Sequence, residues 1–200
     1  MRRLAARIAP LVSLGALALS PGLRAQPLTY RLDPTHSFVF FEIDHFGTST
    51  IRGRFGPVTG EIEVDRAARR ARAQVRIPTA SVSLGFPAFD ARAREGDLLD
   101  SAARAEAFFV AESIEFDANR VGEARGELTL RGTSRPLALR ALRFNCYLNP
   151  LFRRQVCGGD FEAQLLRSDF GMTFGLPFVG DRVRLLIQVE AIKDDPPPAE

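Results

Sequence analysis

Tryptophan is absent from this 200-residue chain, tyrosine is limited to Tyr30 and Tyr147, and histidine to His36 and His45. Lysine occurs once, at Lys193, and cysteine twice, at Cys146 and Cys157. Each scarcity excludes something. Without tryptophan and with two tyrosines, the chain cannot build the aromatic girdles of an outer-membrane barrel. Both histidines lie about a hundred residues from the cysteines, so no metal site is expected, because zinc ligands come at short spacings. No apolar run reaches the ~20 residues of a membrane-spanning helix. Nucleophile-elbow, His-Glu-x-x-His, Gly-x-Gly-x-x-Gly and P-loop patterns are all missing. The residues therefore offer no catalytic constellation, and neither an enzyme nor a cofactor is expected. There is no internal linker and no solenoid-type repeat.

What is present begins at the amino end. Arg2, Arg3 and Arg7 precede an apolar run over residues 8–19, and Leu23-Arg24-Ala25 places a small residue before Gln26. That is the order of a secretory signal peptide, and it predicts a cleaved segment over 1–25 and a periplasmic mature protein. The formal charge is +3, and residues 1–25 carry four arginines and no acid, so subtracting four leaves −1 for the mature chain. No concentrated basic face remains, and no nucleic-acid partner is expected. Residues 26–193 suit one domain with a sizeable core. Residues 194–200 are acidic and proline-rich and read as a disordered tail.

Cys146 and Cys157 flank a polar segment with Asn149-Pro150 and Arg153-Arg154, which reads as a hairpin connection. In an oxidising compartment the pair predicts a disulfide. A redox or metal pair is the weaker alternative.

The dominant periodicity is two, the signature of half-buried strands. In residues 71–77 Ala71, Ala73, Val75 and Ile77 alternate with Arg72, Gln74 and Arg76. Residues 183–191 repeat the pattern, with Val183, Leu185, Ile187 and Val189 on one face and Leu186 the single apolar residue on the other. Shorter stretches agree: Ile51, Gly53 and Phe55; Ile62 and Val64; Leu128 and Leu130; Phe161, Ala163 and Leu165. Turn signals separate them at Gly56-Pro57, Gly122, Gly132 to Pro136 and Gly158-Gly159. In the first long strand, residues 37–46, Glu42 and Asp44 set the parity and place Val39, Phe41, Ile43 and His45 inward. Phe38 and Phe40 then face outward, where one helical insertion over residues 89–107, with Leu98-Leu99 as its apolar stripe, would cover them. The parity of residues 108–116 is irregular, as a β-bulge would make it. About eight strands result, enough to close a barrel whose interior is filled by side chains or holds one small ligand. Alternation alone leaves both interiors open.

Tyr30-Arg31-Leu32-Asp33-Pro34-Thr35-His36-Ser37, His45-Phe46-Gly47 and Gly53-Arg54-Phe55-Gly56 together resemble the opening of the YceI-like family of lipid- or polyisoprenoid-binding proteins. Asp97-Leu98-Leu99-Asp100, the run from Gly126 to Pro136, and Arg167-Ser168-Asp169-Phe170-Gly171-Met172 with Val179-Gly180-Asp181 extend the likeness over nearly the whole mature chain. The cysteine pair is similar to an exported branch of that family. The insertion departs from the family pattern in lacking an aromatic residue near Leu98 and in carrying Ala105 where proline is frequent.

The resemblance implies an all-β, lipocalin-like, eight-stranded antiparallel barrel with one short helical insertion. It also implies a long-chain ligand of polyprenyl, quinone-like or fatty-amide type, and transient contact with a membrane or a membrane redox partner. Parity supplies the tunnel lining: Val39, Phe41, Ile43, His45, Ile51, Phe55, Val75, Leu128, Leu130, Phe161, Leu185 and Ile187. His45 is the inward polar group best placed to orient a ligand, with a satisfied core histidine as the alternative. Arg52, Arg54 or Arg167 could hold a pyrophosphate, against a solvated strand face. Asp33, Asp169 and Asp181 adjoin turns, where short carboxylates bond local backbone. Two other functions stay open: a lipid-modifying enzyme, and a filled barrel acting as an interaction or stress protein.

Overall fold

The structure, a computed structural model, describes residues 27–117, 120–151 and 153–194. The expected signal segment and all but the first residue of the expected tail lie outside the described residues. Eleven strands follow in chain order: β1 (Leu28–Leu32), β2 (Phe38–His45), β3 (Ser49–Phe55), β4 (Thr59–Asp65), β5 (Arg70–Pro78), β6 (Glu106–Asp117), β7 (Arg120–Val121), β8 (Glu123–Leu130), β9 (Thr133–Leu148), β10 (Gln155–Leu166) and β11 (Val179–Lys193). One helix, α1 (Pro87–Ala93), lies between β5 and β6.

Every pairing in the ring is antiparallel. The order β1-β4-β5-β6-β8-β9-β10-β11 closes on itself through Tyr30 with Lys193, Arg31 with Ile192 and Leu32 with Ala191. This is the expected eight-stranded barrel. The β2–β3 hairpin prolongs the wall, because β2 pairs with the first part of β11 and β1 with its last residues. The step from β1 to β2 is made by residues that cannot extend a ladder. Asp33 accepts the Thr35 backbone N–H at 2.9 Å in a local turn. The Ser37 hydroxyl, fully buried, then stands in for the missing strand by bonding both the N–H and the C=O of Glu190.

Parity places the apolar side chains inside. Ala71, Ala73 and Ile77 on β5, Val183, Leu185 and Ile187 on β11, and Phe161 and Ala163 on β10 are buried. The outer face is charged, with a belt of ion pairs linking Arg52, Glu42, Arg184, Glu162 and Arg140 across five neighbouring strands. A lipid-facing barrel would carry the opposite pattern. On β6 the inward set changes from Phe109 and Ala111 to Ile114, and the β5–β6 register shifts there. That is the bulge the irregular parity implied.

Four local expectations are corrected, the first being that Gly158-Gly159 lies inside β10, paired on both sides, and not at a turn. The helix occupies Pro87–Ala93 instead of 89–107, with Pro87 at its start; hydrogen-bonded turns run on through Arg104, and among them Leu99 enters the core. Phe38 is covered by the Arg54 guanidinium, 5.0 Å from its ring centre, and flanked by Phe40. Gly132 to Pro136 is not all turn: the reversal is confined to Arg131 and Gly132, both at positive φ, and β9 resumes at Thr133 with Pro136 inside it.

Candidate functional site

Inside the ring lies an apolar cavity of about 160 Å³. Val39, Phe55, Val75, Leu128, Leu130, Phe161, Leu185 and Ile187 line it, together with inward residues outside the expected lining, such as Ile62, Ala73, Ile77, Leu165 and Val189, and with others that the alternation did not mark, among them Leu32, Val58, Ala107, Phe109, Ile114, Ala124, Leu137 and Leu139. Many of these share strands and parity with residues already assigned inward. Val58 and Thr79 sit in connections, where no periodicity exists to reveal them. Ala107, Phe109 and Ile114 flank the β6 bulge.

Phe41, Ile43, His45 and Ile51, also assigned to the lining, lie outside the cavity. The reason is a plug of side chains across that end of the barrel. Phe41 packs 5.4 Å from Phe55 and over Gly53, and Val82, Leu99, Phe170 and Met172 fill the same core. His45 sits beyond the plug, with Phe46 against its ring at 4.8 Å and Phe178 stacked on Phe46 at 5.3 Å. It therefore does not face the cavity as the inward-polar reading required.

The glycines on the inner face make room for rings. A Cβ on Gly53 would stand 2.4 Å from the Phe41 ring, and one on Gly126 would stand 2.7 Å from the Phe109 ring. Among the described residues Thr79 is the sole polar side chain of the lining, and its hydroxyl already donates to the Arg104 carbonyl at 2.7 Å. Nothing polar in the cavity is left to orient a ligand. An apolar void of this size stays dry and accepts a benzene-sized guest. It falls short of the roughly 300–1,000 Å³ of sites that enclose a whole drug-sized ligand.

The charged candidates have structural duties. Arg167 is buried, contrary to a solvated or pyrophosphate-binding role. Its guanidinium donates to the carbonyls of Gly180, Met172 and Val179, which ties the β10–β11 connection to itself. Burial pulls its pKa below the ordinary value, opposed by the Asp181 carboxylate. Asp181 in turn accepts the backbone N–H and hydroxyl of Ser168. Burial raises its pKa, but those bonds and Arg167 together leave it lowered. Arg52 pairs with Glu42 on the outer face. Asp169 lines an outer groove of about 300 Å³ beside β9 and β10 instead of capping a turn. Cys146 and Cys157 face each other across β9 and β10 and are joined as the expected disulfide. Among the described residues no group of three or more His, Cys, Asp or Glu could hold a metal ion.

A closed barrel with a dry interior is a frame shared by several protein families, and comparison decides among them. The YceI-like domain matches residues 30–191. The chain belongs to the YceI-like family. Among the YceI-like relatives, a UPF0312 protein of Pseudomonas aeruginosa is 32% identical over 189 residues, covering 90% of this chain and 97% of that one. A UPF0312 protein of Shewanella sp. strain MR-7 is 33% identical over 185 residues, covering 90% and 95%. The YceI-like fold also recurs in BcnA of Burkholderia cenocepacia, with a TM-score of 0.65 at 21% identity over 80% of this chain and 98% of that one. A polyisoprenoid binding domain from Saccharophagus degradans gives a TM-score of 0.57 at 18% identity, over 84% and 99%.

Proposed function

We propose that this protein is exported and binds a long-chain, isoprenoid-type lipid, holding part of the chain inside the barrel as a carrier or reservoir. The observation that carries this reading is the apolar cavity, closed by the ring of strands and lined by no polar group in need of a partner. A site without free polar groups favours binding over turnover. Each Å² of apolar surface taken out of water contributes about 25 cal/mol, so a hydrocarbon chain gains affinity there without directional contacts. The solved polyisoprenoid binding domain of like fold supports the ligand class. At about 160 Å³ the cavity takes part of such a chain. The disulfide suits an oxidising compartment.

A second reading has its own observation. Phe41, Phe55 and Phe161 already occupy much of the interior, as in a barrel that serves only as a scaffold for interaction. One experiment separates the two. The full chain is expressed in a Gram-negative host, recovered from the periplasm, extracted with organic solvent and examined by mass spectrometry. The lipid reading expects a co-purified long-chain molecule and an intact mass beginning at Gln26. A clean extract from exported protein overturns it.

A further inference from the structure

The barrel wall opens at the base of the β9–β10 ladder. The β9–β10 ladder runs from Leu148 with Gln155 to Arg140 with Glu162 and stops. Beyond that pair, residues 133–139 bond only to β8, and residues 163–166 bond only to β11. Pro136 lies in this stretch, paired with Glu127 on one side and facing no strand on the other, the edge position that a residue without an N–H requires. The split holds the outer groove of about 300 Å³. Leu137 and Leu165 line that groove and also line the inner cavity, so their side chains partition outside from inside. Arg135 and Arg182 stand on the groove, exposed, and among the described residues neither has a carboxylate partner, whereas Arg140, Arg143 and Arg184 on the same strands are paired. Arg182 bonds the neutral Gln164 amide, and Arg135 the Ser134 carbonyl. Among the described residues Asp169 is the one carboxylate of the groove, which sets two guanidiniums against one acid.

We infer that this split is a lateral portal with a head-group site: the tail of an amphiphile passes between β9 and β10 past Leu137 and Leu165, and its anionic head, a phosphate or carboxylate, stays on Arg135 and Arg182. The inference rests on the cavity being the seat of the tail. It supplies the polar recognition that the cavity lacks, since guanidiniums bind such oxyanions by paired hydrogen bonds.

The test uses the full mature protein and an uncharged fluorophore, N-phenyl-1-naphthylamine, as reporter of the cavity. Dodecyl phosphate, dodecanol and inorganic phosphate are the competitors. Dodecyl phosphate is expected to displace the reporter at a concentration about tenfold lower than dodecanol. The double variant R135E/R182E removes that advantage and leaves dodecanol unchanged, with the melting curve confirming the fold. A second measurement reads the route: Leu137→Ala speeds reporter association in stopped flow, and Leu165→Trp slows it. The portal is overturned if the double variant keeps the phosphate advantage, or if both leucine variants leave the association rate unchanged while the reporter still binds. It is equally overturned if inorganic phosphate alone binds as tightly as dodecyl phosphate, which makes the groove a free-phosphate site. A reporter that does not bind at all sinks the cavity reading itself, a result distinct from charge-insensitive binding.

Discussion

Gly53 shows what a single missing side chain does in this barrel. It lies directly across from Phe41 in the β2–β3 register, and the Phe41 ring occupies the space a Cβ would need, with the Ser83 carbonyl 3.0 Å away on another side. Gly53→Ala is expected to destabilise by about 1–3 kcal/mol, as overpacking does, read from urea denaturation midpoints. Alternation assigned Gly53 inward but gave no reason for its being glycine, because the reason is a ring on another strand. Charge is as local. His36 and Asp33 form an exposed ion pair at 2.8 Å. The bond to Asp33 raises the His36 pKa above 6.5, with burial opposing. Burial raises the Asp33 pKa, but the bonds from Thr35 and His36 outweigh it and leave it lowered. The stabilisation from His36 is therefore complete below 6.5 and fades as pH rises through its raised folded value. That from Asp33 is present above 3.8 and is lost as pH falls through its lowered one. An NMR titration is expected to show His36 with a raised midpoint, and Asp33→Asn to return it toward 6.5. An unchanged midpoint in that variant would remove the pair from the account.

Among the elements, the β9–β10 hairpin carries the most information. Its tip is clamped by Cys146–Cys157, eleven residues apart in sequence, while its base is the divided stretch beyond Arg140 and Glu162. Replacing both cysteines with serine is expected to cost about 2–3 kcal/mol by loop closure, measured as the difference in unfolding free energy with and without the bond. Hydrogen exchange should quicken around residues 144–148 and 155–159 and much less around β1 and β4. The cysteines made this clamp legible in the sequence through composition and context. The sixteen-residue length of β9 was not, because Pro136 within it carries the same signal as a turn. Likewise the reach of α1 was overestimated, since alanine and arginine favour helix wherever they cluster, and the chain after Ala93 closes instead on backbone turns around Asp100.

At the scale of the molecule, strand parity was enough to name most of an inner face, but not the depth at which the free space lies. Val39 and Phe55 meet the cavity, whereas Ile43 and Ile51, of the same parity on the same strands, do not. The plug residues Val82, Leu99, Phe170 and Met172 all come from connections, where side chains are placed by tertiary packing and leave no period to read. The cavity itself gives the last expectation. Ala73 and Ala124 are its smallest buried walls on β5 and β8. Ala73→Leu should fill it and strip the co-purified lipid from the exported protein while the melting temperature holds or rises. Retention of the lipid at wild-type stoichiometry would place the ligand elsewhere.

The closing seam has one more consequence. Only three residue pairs join β1 to β11, and the Asp194 N–H donates to the Thr29 carbonyl at 2.8 Å just beyond them. The first and last strands thus finish side by side, so in outline the domain is a circle cut once. A short linker could rejoin that cut, and the chain could be opened anew at the exposed turn between Asp65 and Arg70, with every ladder retained. Such a permutant would keep its new ends at the same end of the barrel as the old ones, because Leu28 pairs with Val64 at the foot of that turn, and a fused partner would then hang from the same rim one strand further round.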